Sequence, residues 1–141
     1  MIPTERPLDN PINWSFRAFR VWSIDVRVHV FFLLGFFFLI WMQLPESGTG
    51  ASWSLGRVLT DTVGLYAILF FVVLVHEFGH CWGARRVGGD ANEILLWPLG
   101  GLANVNPPHE ARAHLVTTLA GPAVNVVFCT LSALVLWAWA G

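Results

Sequence analysis

His76, Glu77 and His80 are the residues of this 141-residue chain whose types and spacing most directly suggest chemistry. On an α-helix, positions four apart are neighbours on one face, so the two imidazoles can grip a single metal ion. Glu77, beside the first ligand, can take a proton from a water whose pKa a bound zinc lowers to about 7. His-Glu-x-x-His is therefore the water-activating half of a hydrolytic zinc site. A coincidental match on a soluble helix would leave both histidines as ordinary surface or core residues. Here the motif follows the apolar run 65–75, and at membrane depth an unpartnered ionisable group costs about 2.5–3.5 kcal/mol. Three such residues at ligand spacing argue for a metal site.

The composition supports that depth. With 55% hydrophobic and only 12% charged residues, the chain is too apolar for an ordinary soluble domain. Three long apolar segments, 28–44, 65–84 and 115–140, carry the excess, and each is about long enough to cross a core of roughly 30 Å as a helix. A net charge of −1, with eight basic residues that are all Arg and unclustered, excludes a nucleic-acid partner. Cys81 and Cys129 fall inside expected spans, so no disulfide framework is implied. Cys81 directly follows His80 and points about 100° away from it, which makes it a small apolar filler rather than a ligand.

Around the motif, the elements that must position it read in order. Residues 1–27 are polar, broken by Pro3, Pro7 and Pro11, and unlike a signal peptide. Phe16, Phe19, Val21, Trp22 and Ile24 suggest that part of this segment rests at the membrane interface, as either a short amphipathic helix or a strand. The first span, 28–44, stops at Pro45, and His29 at its start either caps the helix or belongs to the site. Thr60, Asp61 and Thr62 offer capping chemistry for the second helix. Four Arg precede the first span, one lies in the next loop, and three lie between the second and third spans. The positive-inside rule thus puts the amino terminus and the 85–112 region in the cytoplasm. His76 then lies about 14 Å of helix from the cytosolic end. Gly88-Gly89-Asp90 breaks the second helix, and 92–105 reads as an apolar hairpin around Pro98 and Gly100-Gly101. Its open edge either pairs with an extended peptide or covers the bundle. The third helix starts after Pro107-Pro108 and contains Pro122, which should bend it, and Asn125, which is either packing glue or part of the site.

A catalytic zinc normally has three protein ligands and one open position. His76 and His80 supply two. Gly83 extends the motif to HExxHxxG, but Arg86 stands where a metzincin places its third His, so that class is excluded. Asp90, Glu93 and Glu110 all belong to the connection between the second and third spans, which leaves the site one ligand short.

HEFGH at 76–80 within a hydrophobic segment, followed by Ala84-Arg85 and Gly88, WPLGGLA at 97–103, and Ala120-Gly121-Pro122 with Asn125, resembles the site-2 protease family of intramembrane zinc metalloproteases, peptidase M50. Val26-Arg27-Val28-His29 before a Phe/Leu-rich span is similar to the family's first helix. The resemblance implies one zinc per chain on His76 and His80, with Glu77 as general base and then proton donor to the leaving amine. It also implies that Asn125, with Gly100 and Gly101 of the hairpin, holds the substrate or the oxyanion. The connection is too short for the PDZ domain that some members carry. The family's third ligand is an Asp in an Asp-Gly motif on a following helix, and no Asp follows Asp90 here. The chain is accordingly expected to be an amino-terminal fragment, with the missing region supplying that Asp.

The expectation is an all-α membrane protein with three transmembrane helices, about 28–44, 62–84 and 113–140, and a short β-hairpin-like connection between helices 2 and 3. Residues 1–27 would form a cytoplasmic or interfacial segment, and 28–141 a metalloprotease core lacking the helix with the third ligand. The expected function is zinc-dependent cleavage of transmembrane protein substrates in a prokaryotic cytoplasmic membrane. The competing class is a catalytically inactive truncated homologue that binds transmembrane segments or partner proteins. A third is a membrane metal-binding protein in which Asn125 or a cytosolic carboxylate completes the site. Zinc stoichiometry combined with a cleavage assay separates these.

Overall fold

A computed structural model describes residues 14–43, 55–98 and 100–140. The prolines before residue 14, the Pro45 stop and the loop 46–54 lie outside the described residues. In chain order the elements are β1 (Ser15–Val21), β2 (Ile24–His29), α1 (Val30–Gln43), α2 (Leu55–Arg86), β3 (Asp90–Trp97), β4 (Gly100–Asn106) and α3 (Ala111–Ala140). The strands form one four-stranded sheet in the order β1-β2-β3-β4. Both hairpins are antiparallel, and β2 runs parallel to β3, with Val26 opposite Ile94 and Val28 opposite Leu96.

This mixed sheet overturns the all-α expectation with three transmembrane helices. The hairpin after α2 is present as expected. A second hairpin, β1–β2, occupies the stretch expected to be an interfacial segment and the start of the first span. Its cause is a period of two: Ile24, Val26 and Val28 are buried while Asp25 and Arg27 between them are half-buried, the alternation of a strand with one face on a core. Among the described residues, α2 and α3 alone are helices long and apolar enough to cross a membrane. α1, with 14 residues, reaches only about 21 Å.

Strand and short helix together make up the height that one helix was expected to span. Arg85, at the end of α2, donates hydrogen bonds to the carbonyls of Trp22 (2.7 Å) and Ala91 (2.6 Å), tying the β1–β2 turn and β3 to that level. At the other end of β2, Phe32 of α1 packs on Tyr66 and Phe70 with ring centroids 5.3 and 6.0 Å away. Phe70 precedes Arg85 on α2 by about 22 Å of helix, and the six residues of β2 at about 3.3 Å each cover roughly 20 Å of it. His29, at the junction, accepts a hydrogen bond from the Phe31 amide at Nδ1 (3.2 Å) and so caps α1.

α2 also begins earlier than expected. Thr60, Asp61 and Thr62 lie inside it and are not caps: Thr60 bonds back to the Gly56 carbonyl (2.9 Å), Asp61 pairs with Arg57 (3.7 Å), and buried Thr62 accepts from Gln43 (2.9 Å). Short polar side chains that can cap a helix can equally bond one turn back within it. At the other end, Gly88 at φ 83° and the Gly89 amide bonded to the Ala84 carbonyl (2.9 Å) close the helix, as Gly88-Gly89 implied. α3 starts at Ala111 and continues through Pro122.

α2 packs on two partners with two faces. Toward the sheet, Phe70, Val73, Leu74, Phe78 and buried Cys81 meet Ile24, Val26, Ala91, Ile94 and Leu96, the apolar core. Cys81 is thus the filler its position suggested. Toward α3, Gly79 and Gly83 let the helices approach: a β-carbon on Gly83 would lie 2.7 Å from that of Ala120 and 3.1 Å from the Thr117 Cα. Small residues one turn apart are how membrane helices gain close contact when no hydrophobic drive separates protein from lipid. Gly83→Val should therefore cost about 1–3 kcal/mol or more by overpacking. Gly64→Ala, at a helical position with open space around it, should be neutral or add roughly 0.5–1 kcal/mol. Thermal unfolding of both variants in detergent checks the contrast.

Candidate metal centre

His76, Gly79, His80 and Gly83 fall at i, i+3, i+4 and i+7 of α2 and share the face that meets α3. The glycines bring the backbones together, and the histidines fill the crevice beside them. The two Nε2 atoms face each other at 3.1 Å. Two nitrogens held at 2.0–2.1 Å by a tetrahedral zinc stand about 3.3 Å apart, so the imidazole pair fits that ion with little adjustment. Gly121 of α3 lies against the His80 ring, so a β-carbon there would collide with the imidazole.

The outer nitrogens of both rings are engaged by α3. His80 Nδ1 donates to the Thr117 carbonyl (2.8 Å), which fixes its tautomer with the lone pair on Nε2. The Asn125 amide nitrogen lies 3.1 Å from His76 Nδ1. Asn125 therefore sits against the His76 ring. Thr117 had no signal in the sequence, because it acts through a carbonyl that any residue possesses. Gly79 and Gly121 had one, their spacing on helices that must pack closely.

Glu77 is turned about 100° from His76, toward the sheet. It is buried at 6% exposure, and β4 passes so close that a β-carbon on Gly101 would overlap the Glu77 side chain, 2.6 Å from both Cδ and Oε1. Only glycine allows that approach. Gly100 beside it has φ 147°, a conformation other residues rarely adopt. Two cavities of about 320 Å³ each meet here, one lined by His76, Glu77, His80, Gly101, Ala103 and Val105, the other by Val72, His76, Glu77, Gly100, Gly101 and Asn125. All six residues singled out as site candidates are thus brought together.

Among the described residues no group of three or more His, Cys, Asp or Glu side chains could hold a metal. Glu93 is drawn off by Arg27 (3.7 Å) on the outer face of the sheet, and Asp90 and Glu110 are exposed. The spacing of the two imidazoles fits zinc, and among the described residues no third such side chain joins them.

Comparison with known proteins agrees with this arrangement. The profile described as peptidase family M50 matches residues 64–141. A zinc metalloprotease of Methanocaldococcus jannaschii is 29% identical over 117 residues, 82% of this chain and 31% of its own length. A Synechocystis sp. relative is 34% identical over 89 residues, 60% of this chain and 21% of its own length. The solved structure of a site-2 protease from M. jannaschii superposes with a TM-score of 0.60 at 27% identity, covering 79% of this chain and 46% of that one. The chain belongs to peptidase family M50, the site-2 protease family. It spans about a third of the length of the first of these relatives.

The contact between Gly101 and Glu77 predicts a separation of function from folding. Gly101→Ala should push the flexible Glu77 side chain aside while leaving the backbone in place. We expect proteolytic activity of the full-length protein to fall by roughly 10–100-fold, with zinc content and melting temperature near wild type. Unchanged activity would remove β4 from the site.

Proposed function

We propose that this chain carries the zinc-holding and water-activating part of an intramembrane endopeptidase. The observation that carries the reading is the pair of Nε2 atoms 3.1 Å apart on α2, with buried Glu77 beside them and α2 long and apolar enough to cross a membrane. His76 and His80 would hold one zinc per chain, and the third ligand would come from the part of the protein outside this chain. When bound, zinc supplies a Lewis acid that polarises a scissile carbonyl and acidifies water. Glu77 would serve as the proton acceptor for the attacking water and then as the proton donor to the leaving amine. Its burial between α2 and β4 keeps bulk water from competing for the same carboxylate.

β4 supplies the means of holding a substrate. It is bonded to β3 along one edge and, among the described residues, to no strand along the other. Gly101, Ala103 and Val105 of β4 line the same cavity as Glu77. An extended peptide added at that edge would run alongside the cavity that Glu77 lines. A transmembrane helix has those carbonyls hydrogen-bonded internally, so it must unwind first, and segments with local helix breakers are the substrates of choice. The Arg distribution supports a cytoplasmic amino terminus in a prokaryotic cytoplasmic membrane, with the site nearer the cytoplasm.

The competing reading, an inactive homologue that binds transmembrane segments, is favoured by one fact, that only two metal-holding side chains come together among the described residues. One experiment separates the two. In the full-length protein, Glu77→Gln should retain zinc and lower turnover of a transmembrane substrate by about 10²–10⁴-fold. Activity equal to wild type would sink the role of Glu77, and a zinc-free, inactive wild type would favour the binding protein.

A further inference from the structure

β4 opens with Gly100 and Gly101, two consecutive residues of the type with the most backbone freedom to lose and no side chain to pack. It is also an edge strand, bonded among the described residues to β3 alone. Yet Gly101 lies so close to the Glu77 side chain that a β-carbon would overlap it. Something outside the strand must fix where it begins. The residues just before it supply that support. Trp97, the last residue of β3, is paired with Gly100 across the turn, and an aromatic residue opposite a strand glycine covers the backbone that the glycine leaves bare. The Trp97 ring meets the His29 ring edge to face, with centroids 5.7 Å apart, a favoured arrangement of aromatic pairs. Pro98, whose φ is fixed by its ring, lies over Gly35 of α1, where a β-carbon would stand 3.8 Å from that of Pro98.

α1 is itself seated on α2, by Phe32 against Tyr66 and Phe70 and by Phe36 against Tyr66. The path from Tyr66 through α1, His29 and Trp97 to Gly101 therefore returns to the same helix at Glu77, about 16 Å further along. The start of β4 is held between α1 on one side and Glu77 on the other. We propose that His29 and Trp97 are positioning residues that seat the start of β4 against Glu77. This role rests on the protease reading, in which β4 and Glu77 meet the substrate together. His29, 1% exposed, then has two tasks. Its Nδ1 accepts from the Phe31 amide (3.2 Å) and caps α1, while its ring backs Trp97. The two tasks can be separated, because Asn offers a cap acceptor without a ring and Phe offers a ring without an acceptor.

The test uses the full-length protein in detergent micelles as wild type, His29→Asn, His29→Phe, Trp97→Leu and the His29→Asn/Trp97→Leu pair. Amide hydrogen exchange reads the seat of β4 whether or not the protein cleaves anything. His29→Asn and Trp97→Leu should each speed exchange of the β4 amides bonded to β3 by roughly 3–10-fold, with the first turn of α1 unchanged in His29→Asn. His29→Phe should do the reverse, loosening the first turn of α1 and leaving β4 protected. The double variant should exchange no faster than the faster single one, as residues acting through one contact do. With a synthetic transmembrane peptide interrupted by Asn-Pro as substrate, kcat should fall by roughly 10–100-fold in His29→Asn and Trp97→Leu. KM and zinc content should stay near wild type, and His29→Phe should retain most of kcat. Trp97, at 42% exposure, carries the test where a change at buried His29 prevents folding. Equal β4 protection in every variant, loss in His29→Phe as large as in His29→Asn, or faster exchange with wild-type kcat would overturn the proposal and leave the protease reading standing. A wild type that holds zinc and does not cleave the peptide would overturn that reading, and this role with it.

Discussion

The close approach of α2 and α3 is the constraint on which the rest depends. Gly79 and Gly83 present no side chains, so the backbone of α3 at Ala120 and Gly121 can lie in van der Waals contact with α2. That contact brings the Thr117 carbonyl within 2.8 Å of His80 and Asn125 within 3.1 Å of His76. Ligand rings on a helix are long levers with two free torsions. Fixing both by their outer nitrogens makes the 3.1 Å spacing of the inner ones a defined geometry rather than an average. A side chain at either glycine would separate the helices and release both rings at once.

A sheet beside a membrane-spanning helix would obey a stricter rule than a sheet in water. Without solvent, backbone N–H and C=O groups must be paired or face a cavity. β2 and β3 are bonded on both sides, and the edges are β1 and β4. The polar outer face is partly compensated by ion pairs, Arg17 and Arg20 against Asp25 (3.6 and 3.4 Å) and Arg27 against Glu93 (3.7 Å). β4 meets the rule differently, by lining the cavity that contains Glu77. An unpaired edge is tolerated where a polar space or an incoming strand can satisfy it.

The motif could be read from the chain because its spacing coincides with the helical period and nothing tertiary is needed to bring His76 to His80. The β3–β4 hairpin was legible for a similar reason, with Pro98 and Gly100 announcing a turn between apolar runs. β2 was hidden because its alternation, Ile24, Val26, Val28, runs without a break into the apolar stretch of α1. Hydrophobicity summed over a window discards phase, so a strand followed by a short helix looks like one long span. The start of α2 was misplaced because Thr60 and Thr62 have the side chains of caps, yet bond within and between helices. Thr117 could not be found at all, since its contribution to the site is a backbone oxygen.

What the two kinds of secondary structure achieve together is a division of labour around one helix. His76 and His80 look toward α3, a rigid all-helical seam suited to holding an ion. Glu77, one residue round, looks toward β4, the element that can take up an extended chain. The proposed hydrolysis would require the carboxylate at a fixed distance from both an ion at the histidines and a peptide on β4, and a side chain anchored on α2 while pressed against the strand would satisfy both requirements. Gly101 is the point where they are reconciled. It is small enough for β4 to touch Glu77, and because β4 is registered on β3, and β3 on the α2-packed core, the strand cannot drift from the helix that bears the histidines. In the proposed site the sheet therefore helps to set the position of Glu77.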